Sequence, residues 1–183
     1  VGGTTYYVSS VELVDLDLDG YLDIVASSET TSSNNIQTFQ NDGTPFDGGW
    51  TRNRLPSQTS VEDVALADLD NDGDLDAICV SDSSNDRVTI AENDGTPFSG
   101  SWSDYDIGTP GVDINAVAVG DLDNDGWIDV VAGNRNNQVV VYENDGTNIF
   151  STPWNSNTVG GTTYYVSSVE LVDLDLDGYL DIV

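Results

Sequence analysis

The sequence predicts an all-β fold made of four-stranded antiparallel units repeated along the chain. Three observations carry that reading. Three separate sequence markers recur with one period of about 52 residues; short Val-, Ile- and Ala-rich runs of strand length keep the same order in every period; and no segment holds a helical period for ten residues.

The period is set by D-x-D-x-D-G-x-x-D, which begins at Asp15, Asp68, Asp121 and Asp173, at intervals of 53, 53 and 52 residues. The tetrapeptide NDGT recurs at Asn41, Asn93 and Asn144, and a tryptophan at Trp50, Trp102 and Trp154. The first run of each unit lies upstream of the Asp loop as VSSVELV, VEDVALA and INAVAVG. The second follows the loop as YLDIVAS, DLDAICVS and WIDVVAG. The third, IQTF, VTIA or VVVY, leads into NDGT, where Asn-Asp-Gly supplies turn chemistry and Gly the positive φ that a tight turn requires. The fourth surrounds the tryptophan in FDGGWTRNRL, FSGSWSDYDI and FSTPWNSNTV. About 3.5 repeats result, with boundaries at 1–52, 53–105, 106–158 and 159–183. The last is half a unit, and its 25 residues are identical to residues 1–25. Because the first three repeats differ at many positions, the larger unit reads as 158 residues, three repeats long, copied recently or by design.

The Asp loops carry the chemistry. Alternate positions of a tight loop present side-chain oxygens to one point, and Gly permits the bend after the third. In the first loop the expected ligands are Asp15, Asp17, Asp19 and Asp23, with the backbone carbonyl of Tyr21 at position seven. The second offers Asp68, Asp70, Asp72 and Asp76 around Asp74, and the third Asp121, Asp123, Asp125 and Asp129 around Trp127. The fourth offers Asp173, Asp175, Asp177 and Asp181 around Tyr179. Two bare carboxylates about 4 Å apart repel by roughly 4 kcal/mol at an effective dielectric near 20, so such a cluster calls for a cation. Six to eight oxygens in a flexible loop suit calcium, one ion per loop and up to four in all; magnesium demands stricter octahedral geometry. An EF-hand is excluded because its twelfth position, a bidentate Glu, falls on Ala26, Cys79 and Ala132, and because the loops join strand-like runs. Zinc is excluded by the absence of His and the presence of one Cys.

Composition agrees. The chain has 33 acidic residues against 4 arginines and a formal charge of −29, so nucleic acid and anionic membranes are excluded as partners. Four calcium ions would offset eight of those charges and leave a strongly acidic surface, suited to a salty or calcium-rich medium. Hydrophobic residues make up 38% of the chain, enough for a core, and Cys79 in the run AICV reads as an inert buried thiol. No membrane-length apolar run, signal-like segment or initiating Met is present, as expected of a mature segment or part of a longer protein.

Taken together, strand, Asp loop, second strand, Asn-rich turn, third strand and E-N-D-G resemble the FG-GAP/VCBS repeat family, a group of integrin-α-like calcium-binding β-propellers. The stretch DLDNDGWIDVVAGNRNNQVVVYENDGT carries the resemblance most fully. It implies β-propeller-type blades with calcium held between the first two strands, and members that mostly bind, adhere or scaffold. Propellers have four to eight blades, so 3.5 repeats are expected to close with another copy, continue into further repeats, or stack as an open array.

The function expected is therefore a calcium-binding, extracellular or cell-surface structural or adhesive repeat protein, a segment of a larger tandem-repeat or filament-like assembly. Its expected partners are copies of itself or further repeats of a parent chain, with glycans or other surface proteins as further candidates and no membrane insertion. A carbohydrate-binding, lectin-like module is the alternative: Trp50, Trp102 and Trp154 recur, Tyr6, Tyr7, Tyr105 and Trp127 add rings, and calcium coordinates sugar hydroxyls. Recurrent large residues are more simply packing residues. An accessory domain of a secreted hydrolase is a weaker third possibility. No enzyme is expected, since His, Lys and a reactive thiol are all missing. The polar stretch SSETTSSNN (Ser27–Asn35) reads as a blade loop open to O-linked sugar, and the chain has no N-x-Ser/Thr sequon.

Overall fold

The computed structural model describes residues 7–29, 35–55, 59–82, 86–111 and 113–183, and within them every regular element is a strand. The first sheet contains β1 (Tyr7–Val14), β2 (Asp23–Glu29), β3 (Ile36–Gln40) and β4 (Thr51–Leu55). The second contains β5 (Val61–Ala67), β6 (Asp76–Ser81), β7 (Arg87–Glu92) and β8 (Ser103–Gly108). The third contains β9 (Ile114–Gly120), β10 (Asp129–Asn134), β11 (Gln138–Glu143) and β12 (Asn155–Gly161). A two-stranded sheet, β13 (Leu171–Val172) with β14 (Asp181–Ile182), completes the described elements. Each four-stranded sheet is an antiparallel meander, and these are the blades expected from the period.

One register recurs. The residue before each Asp loop pairs with the ninth loop residue, as Val14 with Asp23, Ala67 with Asp76, Gly120 with Asp129 and Val172 with Asp181. The ninth-position Asp is thus the first residue of the second strand, held by the ladder rather than by the loop. Each complete blade also has a register irregularity between its first and second strands, near Val8, Val61 and Ile114. A bulge at that end turns the strand while the loop end keeps its pairing.

The blades stack face to face, and the core lies between them. Leu16, Val25, Ile36 and Leu55 of blade 1 pack against Val61, Val64, Cys79, Ala91 and Trp102 of blade 2. The other face of blade 2, with Ile78, Val80, Ile90 and Ile107, packs against Val117, Val130, Ala132, Tyr142 and Trp154 of blade 3. Middle strands covered on both faces read as continuous apolar runs: all six residues of β6 and all six of β10 are buried. Cys79 is buried and unpaired, and burial pushes its thiol further up, in line with an inert residue. The first strands β1, β5 and β9 lie side by side along a groove lined by Glu12, Asp63 and Glu170.

Two expectations are corrected by the strands. The fourth strand of each blade begins after its tryptophan and ends at Leu55, Gly108 and Gly161, so blades 1 to 3 run past the boundaries drawn at 52, 105 and 158. In blades 1 and 3 the tryptophan closes the preceding turn: Trp50 Nε1 donates to the Pro45 carbonyl and Trp154 Nε1 to that of Ile149, each five positions back. Of SSETTSSNN, Ser27 and Ser28 are buried in β2, where Ser27 Oγ lies 2.8 Å from Ser9 Oγ, and neither is open to sugar. Residues 30–34 of that stretch lie outside the described residues, as does Tyr6.

Candidate metal centres

All four Asp loops share one backbone course. Position six is Gly with φ between 94° and 99° (Gly20, Gly73, Gly126, Gly178), which only glycine adopts readily. Position four is also left-handed, at Leu18, Asn71, Asn124 and Leu176, with φ between 59° and 63°. The first Asp anchors the bend with both oxygens: Asp15 Oδ1 accepts the Asp19 amide and Oδ2 that of Gly20, at 3.0 and 2.9 Å. Asp68, Asp121 and Asp173 repeat both bonds. Position five accepts the amide of position seven, from Tyr21, Asp74, Trp127 and Tyr179 to Asp19, Asp72, Asp125 and Asp177.

The ninth-position carboxylate ties the loop to the blade. Asp76 Oδ2 accepts the Leu69 amide and Oδ1 the Asn93 amide, the first residue of NDGT. Asp23 and Asp129 make the equivalent pairs with Leu16 and Asn41 and with Leu122 and Asn144; in the fourth loop Asp181 accepts the Leu174 amide. The NDGT asparagine answers in kind, since Asn41 Nδ2 donates to the Leu22 carbonyl and Asn93 Nδ2 to that of Leu75. The side chain at position seven lies over the NDGT glycine, so that a Cβ at Gly43 or Gly95 would meet Tyr21 or Asp74 at under 3.0 Å. This clamp between Asp loop and NDGT turn went unread from sequence, although both markers share one period, which was its only signal.

These bonds leave carboxylate oxygens facing one another. Oxygens of Asp15, Asp17 and Asp19 lie within 4.8 Å of each other, as do those of Asp68, Asp70 and Asp72. In the other loops the converging sets are Asp121, Asp123 and Asp129, and Asp173, Asp175 and Asp181. Positions one and three therefore converge in every loop, with position five or nine as the third member. Asp17 makes the donor chemistry explicit: its Oδ2 accepts from Gln40 Nε2 at 2.7 Å, while its buried Oδ1 has no hydrogen-bond partner among the described residues. An unpartnered buried carboxylate oxygen inside a cluster of acids fits a cation.

The electrostatics point the same way. Burial, then the charges of Asp70 and Asp72, push Asp76 up to about 7 against the opposing pull of the Asn93 and Leu69 amides. Asp23, Asp70 and Asp129 are raised as well, burial being the largest cause and neighbouring loop carboxylates adding to it. Carboxylates held together without a countercharge favour protonation, and a hard dication would reverse that.

The aromatic residues of the carbohydrate reading fall elsewhere. Trp102 and Trp154 are buried between blades, Trp127 covers Gly146, and Tyr105 stacks on Phe150 with ring centroids 4.9 Å apart. Trp50 is half-buried and Tyr7 exposed. They do not form one surface.

A fifth acidic group, Asp82, Asp86 and Asp113, lies outside the repeat motif; there Arg135 pairs with Asp82 at 3.1 Å.

Comparison with curated protein sequences finds no match. Among solved structures, the chain is similar to an Agrocybe aegerita lectin described for its specific recognition of non-reducing terminal N-acetylglucosamine. The two share 18% identity with a TM-score of 0.36, over 98% of this chain and 61% of the lectin, so the chain spans under two thirds of that protein's length. A family model for the FG-GAP-like repeat matches residues 15–79, 68–132 and 121–183. Each match runs from one Asp loop through the next, and together they span nearly the whole chain; it belongs to the FG-GAP-like repeat family.

Proposed function

We propose that this chain is a calcium-binding structural or adhesive segment of an extracellular or cell-surface protein, with one calcium ion in each Asp loop. The observation that supports it best is the convergence of the first and third carboxylates, with a third, in all four loops. In the loop beginning at Asp15, a calcium ion would be held by Asp15, Asp17, Asp19 and Asp23, the unpartnered Asp17 Oδ1 among the donors. The Tyr21 carbonyl is the backbone ligand proposed from sequence. Bound calcium supplies the countercharge these carboxylates lack. The chain's own residues do the rest: the glycine bend aims the ligands, and the ninth Asp transmits the loop's order to two strands and a turn.

This reading assigns the chain a mechanical role and no catalysis. Extracellular calcium modules work at roughly 10⁻⁴–10⁻³ M, an affinity range natural for half-exposed loops of this kind. The decisive measurement is thermal unfolding with calcium, with magnesium and with chelator. A melting temperature that rises with calcium, rises less with magnesium and falls on chelation is expected. One that responds to none of them would sink the assignment.

A further inference from the structure

The 25 residues that occur twice are seen in two different surroundings. In the first copy, Leu16 and Val25 are buried against blade 2 at 2% and 0% exposure, while Val8 and Val11 stand at 47% and 53%. In the second copy the pattern inverts. Val166 and Val169, the equivalents of Val8 and Val11, fall to 7% and 5%, while Leu174 and Val183, equivalent to Leu16 and Val25, are exposed. The buried partner of the second copy is blade 3, through Ala116 and Val131 with Ala118, Val139 and Val141 around them. Gly133 admits Val166, the Val166 amide donates to the Asn134 carbonyl at 3.2 Å, and Asn115 Nδ2 donates to the Val166 carbonyl. One sequence therefore displays both faces of a blade, each matched to its neighbour.

From this we infer that the exposed face of blade 1 docks on blade 3 of a second copy of this chain, taking the place held by residues 164–183. The surface is already specified, because the same side chains make the same contacts at the other end. Blade 1 also offers more than the tail. Its Phe46 is fully exposed, whereas the equivalent residues of blades 2 and 3, Phe98 and Phe150, pack against the core of the preceding blade. Phe150 rests on Tyr105, and the strand position of Tyr105 in blade 3 is Asn157. Asn157, Val141 and Leu122 line an unfilled groove of about 280 Å³, where the geometry of blade 2 places the incoming phenylalanine. Blade 1 further shares the TPF turn of blade 2, whose Pro97 carbonyl accepts from Asn53, the equivalent of Asn157. Head-to-tail contacts of this kind are heterologous and propagate into rings or filaments.

This deepens the proposed structural role and is independent of calcium, which is read in melting temperature and not in mass. The test is solution mass across a concentration series. The wild-type tail caps blade 3, so Val166→Asp with Val169→Asp should release it and raise the mass above 19.5 kDa with concentration. Adding Val8→Asp and Val11→Asp should return it to that monomer value. A released variant that keeps its near-ultraviolet dichroism yet stays monomeric would show that blade 3 awaits another occupant, and would overturn the proposal. So would association that survives all four substitutions. Should release unfold the blades, a disulfide answers instead, since a Cβ on Gly133 would lie 3.0 Å from Val166 Cβ, and an outward shift of about 0.5 Å reaches the roughly 3.5–4.5 Å that a disulfide spans. Val8→Cys with Gly133→Cys should give linked multimers under oxidation, while Val166→Cys with Gly133→Cys gives a linked monomer. Linked monomer in the control and no multimers in the test pair would refute the docking.

Discussion

Leu18 and Leu176 hold left-handed backbone at φ 59° and 63°, where the same loop position in blades 2 and 3 has asparagine. A leucine there carries steric strain that Asn relieves, and Leu18 is largely exposed, so it gives little packing in return. Leu18→Asn is expected to stabilise the chain by about 1 kcal/mol, measured by denaturant unfolding. The aspartates divide by task. Asp76→Ala removes the acceptor for two buried amides and should cost about 3 kcal/mol even in chelator. Asp72→Ala, at an exposed position with one local amide to satisfy, should cost under about 1 kcal/mol in chelator yet remove part of the calcium-dependent gain. Equal losses for the two in chelator would contradict this division. The convergence of the first and third carboxylates was legible because acids at fixed spacing advertise their chemistry. The strained fourth position was not, because leucine does not signal a left-handed turn.

Strand β5 brings Glu62 close to Glu29 at the end of β2 and to Asp82, with Arg135 as the countercharge. Burial first, then Glu29 and Asp82, push Glu62 up to about 7, and Arg135 only partly opposes them. The sign follows directly. The folded state holds this proton more tightly than the unfolded chain, so Glu62 contributes stability below about pH 4.5 that is lost as pH rises towards 7. Glu62→Gln should flatten that window and melt higher than the wild type above pH 7; an unchanged pH profile would refute the coupling. At this scale the order of strands was readable from spacing, since period-two runs separated by turn residues leave few alternatives. The start of the fourth strand was misplaced because the tryptophan looks like strand core, whereas in blades 1 and 3 it closes its own turn by a hydrogen bond to a carbonyl five residues back. Ser27 and Ser28 looked like loop for a similar reason, their polarity hiding burial between strands.

Equivalent residues in successive blades should behave unequally, because blade neighbours rather than sequence decide their burial. Phe46→Ser is expected to change monomer stability by less than about 0.5 kcal/mol. Phe98→Ser, at the matching position packed on blade 1, should cost about 2 kcal/mol, measured at low protein concentration. The stack of blades was legible from the period, but the assignment of each face to a neighbour was not. Identical sequences cannot reveal that one copy buries Leu16 and the other Val169. Only the positions of the copies separate them.

That identity also makes the blade 3 face degenerate. Its apolar centre has no chemical means of preferring Val166 and Val169 over Val8 and Val11 of another molecule. What favours the tail is connectivity: it follows β12 directly, and a short tether holds its end at an effective concentration in the millimolar range. The onset of self-association is therefore set by the length of that connection as much as by the apolar contact itself. Lengthening the stretch between Gly161 and Val166 would shift it without altering one interfacial side chain.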